Sequence, residues 1–158
     1  MQQYIQNTFS YQYKATIGAE FLSKETVLDD QLVTMQIWDT AGQEKYQSVQ
    51  RVFYRGTDGC IIVYDLTNPA SFASVEKWKE EFFNSANLEN TQNFPMVIVG
   101  NKSDLVTERK VAREKTMKWC KENGELDHYE TSAKTAANVK EAFEGIARKA
   151  AEKQKGRL

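Results

Sequence analysis

The chain has 158 residues, 41% of them hydrophobic and 27% charged, which is the balance of one globular core and not of a disordered or fibrous segment. Its net charge of −1 creates no overall field toward nucleic acid or an anionic membrane. No stretch approaches the roughly 20 apolar residues of a membrane span, and Met1-Gln2-Gln3-Tyr4 lacks the basic start and apolar run of a signal peptide.

Met1 to Phe9 reads as the end of a helix with no strand before it. Ala19 to Leu28 reads as a strand, Asp29-Asp30-Gln31 as a tight turn and Leu32 to Trp38 as a second strand, so the two form a hairpin. Gly59 to Asp65 carries the run Cys60-Ile61-Ile62-Val63, the pattern of a strand buried on both faces of a parallel sheet. Asn68 before Pro69 is a cap followed by a first-turn proline. One helical face then holds Phe72, Val75, Trp78 and Phe82. Met96 to Val99 repeats the buried-strand pattern. Ala112, Thr116, Trp119 and Cys120 mark a further helix, stopped at Asn123-Gly124. Tyr129 to Thr131 is a short last strand, and His128 before it is read as a surface or structural residue. Asn138 with Glu141 three residues on resembles a capping box. Val139, Ala142, Phe143, Ile146, Ala147 and Ala150 continue it at helical spacing. The alternation predicts an α/β sheet with flanking helices in a single domain over residues 1–158. Cys60 and Cys120 fall in a strand and a helix, and are expected as buried thiols.

Three short runs carry chemistry. Asn101-Lys102-Ser103-Asp104 follows an apolar strand, at the carboxyl edge where open α/β sheets bind ligands. The Asp104 carboxylate can accept paired hydrogen bonds from guanine N1–H and its amino group. Adenine lacks that donor pair and would leave the carboxylate unpartnered. Asn101 can tie the loop to its neighbours, and the Lys102 stem can lie across base or ribose. Ser132-Ala133-Lys134 follows the last strand, where its backbone N–H groups can meet the guanine carbonyl oxygen. Asp39 closes a strand and can hold a water on Mg²⁺. Gly42 lets a backbone N–H approach a terminal phosphate, and Gln43 is placed to orient an attacking water.

Together these runs resemble a Ras-superfamily small GTPase of the Rab type. Further segments carry the likeness: Ile17-Gly18-Ala19-Glu20-Phe21, Met35-Gln36-Ile37-Trp38, Lys45-Tyr46-Gln47-Ser48, Phe53-Tyr54-Arg55-Gly56-Thr57 and Val63-Tyr64-Asp65-Leu66-Thr67. Gln12-Tyr13-Lys14-Ala15-Thr16-Ile17-Gly18-Ala19 and Asn93-Phe94-Pro95 are similar to the late-endosomal Rab seven branch. The likeness runs from about Met1 to about Arg148. It implies a P-loop NTPase-like sheet that binds GTP or GDP with Mg²⁺. It gives Thr16 a place on Mg²⁺ and the γ-phosphate, beside Asp39, and sets Phe9 edge-on against guanine. Asn101, Lys102, Asp104, Ser132, Ala133 and Lys134 form the base site. Gln43 is the catalytic residue, and Ile17, Phe21, Trp38 and Phe53 meet effectors. The implied partners are Rab effectors, an exchange factor and a GTPase-activating protein, with no nucleic acid. The expected place is the cytoplasm for this chain, and by resemblance the membrane of late endosome, lysosome or vacuole, reached in the family through a prenylated tail.

The sequence departs from that pattern in two ways. It contains no G-x-x-x-x-G-K-[ST] run, the loop that cradles phosphates. The expectation is a fold truncated at its N-terminus, without the central first strand and phosphate loop. Such a chain would bind GTP poorly, be impaired in hydrolysis, and leave a gap between Leu32–Trp38 and Gly59–Asp65. The alternative functions are a non-catalytic effector-binding module or a non-functional gene product. Gly156-Arg157-Leu158 holds no cysteine, so no prenylation site is expected in this chain. Arg148, Lys149, Lys153, Lys155 and Arg157 read as either a membrane patch or complements to a helix C-terminal dipole.

Overall fold

The computed structural model describes residues 1–42, 47–88 and 91–156, without the side chains of 47–50. The order is α1 (Gln2–Gln6), β1 (Ala19–Leu28), β2 (Gln31–Thr40), α2 (Gln47–Tyr54), β3 (Cys60–Asp65), α3 (Pro69–Ala73), α4 (Val75–Ala86), β4 (Met96–Asn101), a 3₁₀ turn (Val106–Glu108), α5 (Arg113–Glu122), β5 (Asp127–Glu130) and α6 (Val139–Lys155).

β1 and β2 form an antiparallel hairpin, from Ala19 opposite Thr40 to Leu28 opposite Gln31. Asp29 and Asp30 make the two-residue turn, both with positive φ (49° and 61°). A turn of that hand matches the twist of the two strands, and aspartate tolerates it. β2 is longer than the hydrophobic run predicts, because Asp39 and Thr40 still pair with Glu20 and Ala19.

β3, β4 and β5 form a second sheet, parallel throughout, with β4 in the centre. No ladder joins β2 to β3 among the described residues, in line with the expected gap. β4 is buried from Met96 to Gly100. Its residues alternate between two cores, as the period of a strand requires. Met96 and Ile98 join Ile62, Tyr64, Leu66, Phe72, Val75, Phe82 and Cys120 beneath α3, α4 and α5. Val97 and Val99 face Ala142 and Ile146 of α6.

Three expectations need correction. β3 is not buried on both faces: Val63 is 59% exposed while Ile62 and Tyr64 on the other face are buried. The apolar run signals a parallel strand, but only the central strand is covered on both sides. The helix over Phe72 to Phe82 is two helices, divided at Ser74. The Ser74 hydroxyl donates to the Ala70 carbonyl at 3.0 Å, a back-bond that bends a helix. The capping box at Asn138 is not made. Asn138 takes a left-handed conformation (φ 55°), and its amide donates instead to the Glu130 carbonyl at 2.9 Å.

β5 takes in Asp127 and His128 and stops before Thr131, a shift from the strand read over Tyr129 to Thr131, whereas the cap at Asn68 holds. The Asn68 side chain accepts from the Ala70 N–H ahead of α3. Both cysteines are free thiols, Cys120 buried as expected and Cys60 half-buried, and desolvation raises Cys60 to about 12 and Cys120 to about 11. His128 is structural: its ring lies along Tyr64, whose hydroxyl hydrogen-bonds both His128 Nε2 and Thr116 at 3.0 Å. Burial holds the imidazole below its ordinary value. On α6, Arg148 pairs with Asp29 and Glu144, and Lys149 pairs with Asp127 at 2.7 Å. These two cations of the basic run therefore hold neighbouring elements.

Candidate guanine-nucleotide site

All three strands of the parallel sheet end on one edge, and the loops that follow them meet there. Asp65 at the end of β3 is level with Asn101 at the end of β4. The register then places Gly100 beside Glu130, so the loop after β5 lies against the loop after β4. Gly100 is required here, because an added Cβ would lie 2.7 Å from the Tyr64 hydroxyl.

The two loops are bound into one unit. Asn101 Oδ1 accepts from the Ala133 N–H at 3.1 Å and from the Thr131 hydroxyl at 3.3 Å. The Ser103 N–H donates to the Thr131 carbonyl at 2.9 Å. The Ser132 hydroxyl, fully buried, donates to Asp104 Oδ1 at 2.6 Å and accepts from the Thr135 N–H at 3.0 Å. This anchors one oxygen of the Asp104 carboxylate while leaving acceptor capacity on it. The tying role read for Asn101 is its observed role. The Ala133 N–H donates to Asn101, so within Ser132-Ala133-Lys134 it is the Lys134 N–H that has no partner among the described residues.

Lys102 sits at φ 70° and its ammonium pairs with Asp65 Oδ2 at 2.7 Å. Asp65 Oδ1 accepts from the Thr67 N–H and hydroxyl at 2.8 and 2.7 Å. Burial alone would raise this carboxyl, but the Lys102 and Thr67 hydrogen bonds hold it below its ordinary value. The sequence motifs do not mark Asp65 and Thr67 as part of the base site. The signal was available: a buried strand ending in aspartate, parallel to the strand that ends at Asn101.

Phe9 is exposed and makes an edge contact with Tyr11, ring centroids 5.1 Å apart. The Lys134 ammonium lies 5.5 Å from the Tyr11 ring centre. Phe9 thus reaches the base loops through Tyr11, a residue the motifs did not mark.

The remaining predicted residues lie around the carboxyl end of β2. Asp39 is raised above its ordinary value by burial, opposed by the Met1 α-amino group and reinforced by Glu20 across the ladder. A desolvated carboxylate of this kind suits a hard divalent cation. Thr16 is half-buried in the segment before β1. That segment meets the start of the next loop where the Ala41 N–H donates to the Gly18 carbonyl at 2.9 Å. The space around Gly42 is open. Gln43 lies outside the described residues. Phe21, Trp38 and Phe53 form one cluster: Trp38 lies tilted against Phe21 and stacked on Phe53, with centroids 4.8 Å and 4.9 Å apart. Ile17 is 77% exposed on the same hairpin's approach.

The model of the Ras family matches residues 1–152. The chain belongs to the Ras family. It is 49% identical over 155 residues to a Ras-related protein Rab-7b of Paramecium octaurelia, spanning 98% of this chain and 75% of that relative. It is 48% identical over 156 residues to a Ras-related protein Rab-7a of Dictyostelium discoideum, covering 99% and 77%. A Ypt/Rab-type GTPase ypt7 of Schizosaccharomyces pombe is 48% identical over 153 residues, covering 96% and 75%. Within the family this is a Rab7-like small GTPase, of the GTP-binding class that serves vesicle transport. Members of the superfamily generally use Mg²⁺ with GTP or GDP.

Proposed function

We propose that this Rab7-like protein is a guanine-nucleotide switch in vesicle traffic toward late endosome, lysosome or vacuole. One observation carries the nucleotide part: the loops after β4 and β5 are locked together by Asn101–Ala133 and Ser132–Asp104, which anchors the Asp104 carboxylate through one oxygen. A fixed carboxylate selects guanine because only guanine offers two adjacent donors to it. Lys102 is held to Asp65, so its stem can pass along the base. Mg²⁺, when bound, supplies charge neutralisation at the phosphates, and Asp39 and Thr16 are the residues to hold it. Gln43 orients the attacking water in a form that carries a phosphate cradle. Phe21, Trp38, Phe53 and Ile17 present the surface for effectors, with an exchange factor and a GTPase-activating protein acting on the same face.

The test is nucleotide selectivity. Isothermal titration of GDP against ADP should show binding of GDP alone, and equal affinities would sink the guanine reading. Residues 1–158 hold no phosphate-loop motif, so the affinity expected of this chain is weak, above the micromolar range. In a form extended to include a phosphate loop, Gln43→Leu should stop single-turnover GTP hydrolysis. An unchanged rate would remove the glutamine from the mechanism.

The aromatic stack supports a second reading, a non-catalytic module that displays a Rab-like surface. The three rings are already clustered and two of them stay exposed, as recognition anchors are. Capture of a Rab7 effector with equal strength with and without a GTP analogue would favour this reading over the switch.

A further inference from the structure

Tyr11 is among the most exposed aromatics of the described residues, at 82%, yet its ring is held from two directions. Phe9 meets it edge-on at 82° and Lys134 sets an ammonium 5.5 Å from its centre. The turn that carries it is fixed locally, because the Gln12 N–H donates to the Ser10 hydroxyl at 3.1 Å. Burial cannot explain the placement of a ring this exposed. The cation–π contact can, and it reaches into a loop that is itself immobilised: Lys134 follows Ala133, whose N–H is held by Asn101.

We propose that Tyr11 is a positioning residue for the guanine base, clamping Lys134 and Phe9 together over the outer rim of the base site. The proposal rests on the base-site reading above. Lys134 carries a long stem that is otherwise free to leave the site. A Tyr11 ring beneath its ammonium keeps the stem along the base, and the same ring keeps Phe9 turned toward it. The ligand class is a guanine nucleoside or nucleotide. The clamp acts on the base, so it operates whether or not phosphates are cradled.

The experiment is a titration of ¹⁵N-labelled protein with GDP to millimolar concentration, followed by amide shifts. It is run on the wild-type chain, Tyr11→Ala, Tyr11→Phe, Lys134→Ala, the Tyr11→Ala/Lys134→Ala pair and Asp104→Asn. Tyr11→Ala should weaken GDP by about twofold to fivefold at most, the range of an exposed cation–π contact. Tyr11→Phe should restore wild-type affinity, because the ring and not the hydroxyl faces Lys134. The Tyr11→Ala loss should shrink in the Lys134→Ala background, since coupled residues are non-additive. GDP binding that falls with Asp104→Asn but not with Tyr11→Ala overturns the clamp alone. So does an equal loss in Tyr11→Phe and Tyr11→Ala. No GDP-dependent shifts in the wild-type protein overturn the base-site reading and the clamp with it.

Discussion

The parallel sheet and the hairpin solve different problems with the same kinds of residue. In the sheet, Ile98 is fully buried, and the polar groups at its edge are paired with each other, Asn101 to Ala133 and Ser132 to Asp104. In the hairpin, Val27 and Leu32 at the tip and Phe21 and Trp38 near the base are exposed. The rigid half fixes a carboxylate and the open half displays aromatic surface. Recognition of a small rigid base needs fixed acceptors, whereas recognition of a protein partner needs uncovered apolar area.

That contrast can be broken most sharply by paired truncations. Ile98→Ala should cost about 2–5 kcal/mol, as for other fully buried aliphatic side chains. Leu32→Ala, at 69% exposure, should stay within about 0.5 kcal/mol. Urea unfolding of both variants checks this, and equal losses would mean the tip is covered in solution.

The next largest effect belongs to Asp104. Asp104→Asn should weaken guanine nucleotide by more than tenfold, about 1.4 kcal/mol, and improve xanthine nucleotide, because the donor and acceptor pattern is swapped. A change within twofold would take the carboxylate out of base recognition. Stability should move little, since Asn101 and the Ser103 N–H still tie the loops and the amide oxygen of the introduced asparagine can still accept from Ser132.

Trp38→Ala tests the open half. It removes the middle ring of the stack and should cost roughly 0.5–1.5 kcal/mol of ring–ring contact beyond area. Effector capture should drop much further than stability does. If melting and capture fall in step, the stack is a packing feature only.

The smallest effect is a pH dependence inside the rigid half. His128 is held below its ordinary value of 6.5 by burial, so the folded state favours the neutral ring. Its contribution is full above 6.5 and declines as pH falls from there through the lower folded value. Urea midpoints on either side of that value should differ in the wild type, and the difference should shrink in His128→Gln. A midpoint that is equally pH-dependent in both proteins would assign the effect to other groups, such as Glu130, whose pairing with Arg109 holds it below its ordinary value.

The sequence by itself determined the alternation of strands and helices, the Asp29-Asp30 turn and the three motifs of a guanine site. These are local: a two-residue turn needs residues that accept positive φ, a buried strand needs an apolar run, and a base site needs a carboxylate at a strand end. The tertiary structure alone decided what those runs share with distant residues. It placed Asp65 and Thr67 under Lys102, because parallel register levels the ends of β3 and β4. It gave the Ala133 N–H to Asn101 and turned the Asn138 amide to Glu130, where local spacing had pointed to guanine and to a helix cap. It left Val63 exposed in a run that reads as wholly buried, since burial depends on which layer lies across a strand and not on the strand's own residues. It brought Tyr11 to Lys134 across more than a hundred residues, a contact that no spacing along the chain encodes.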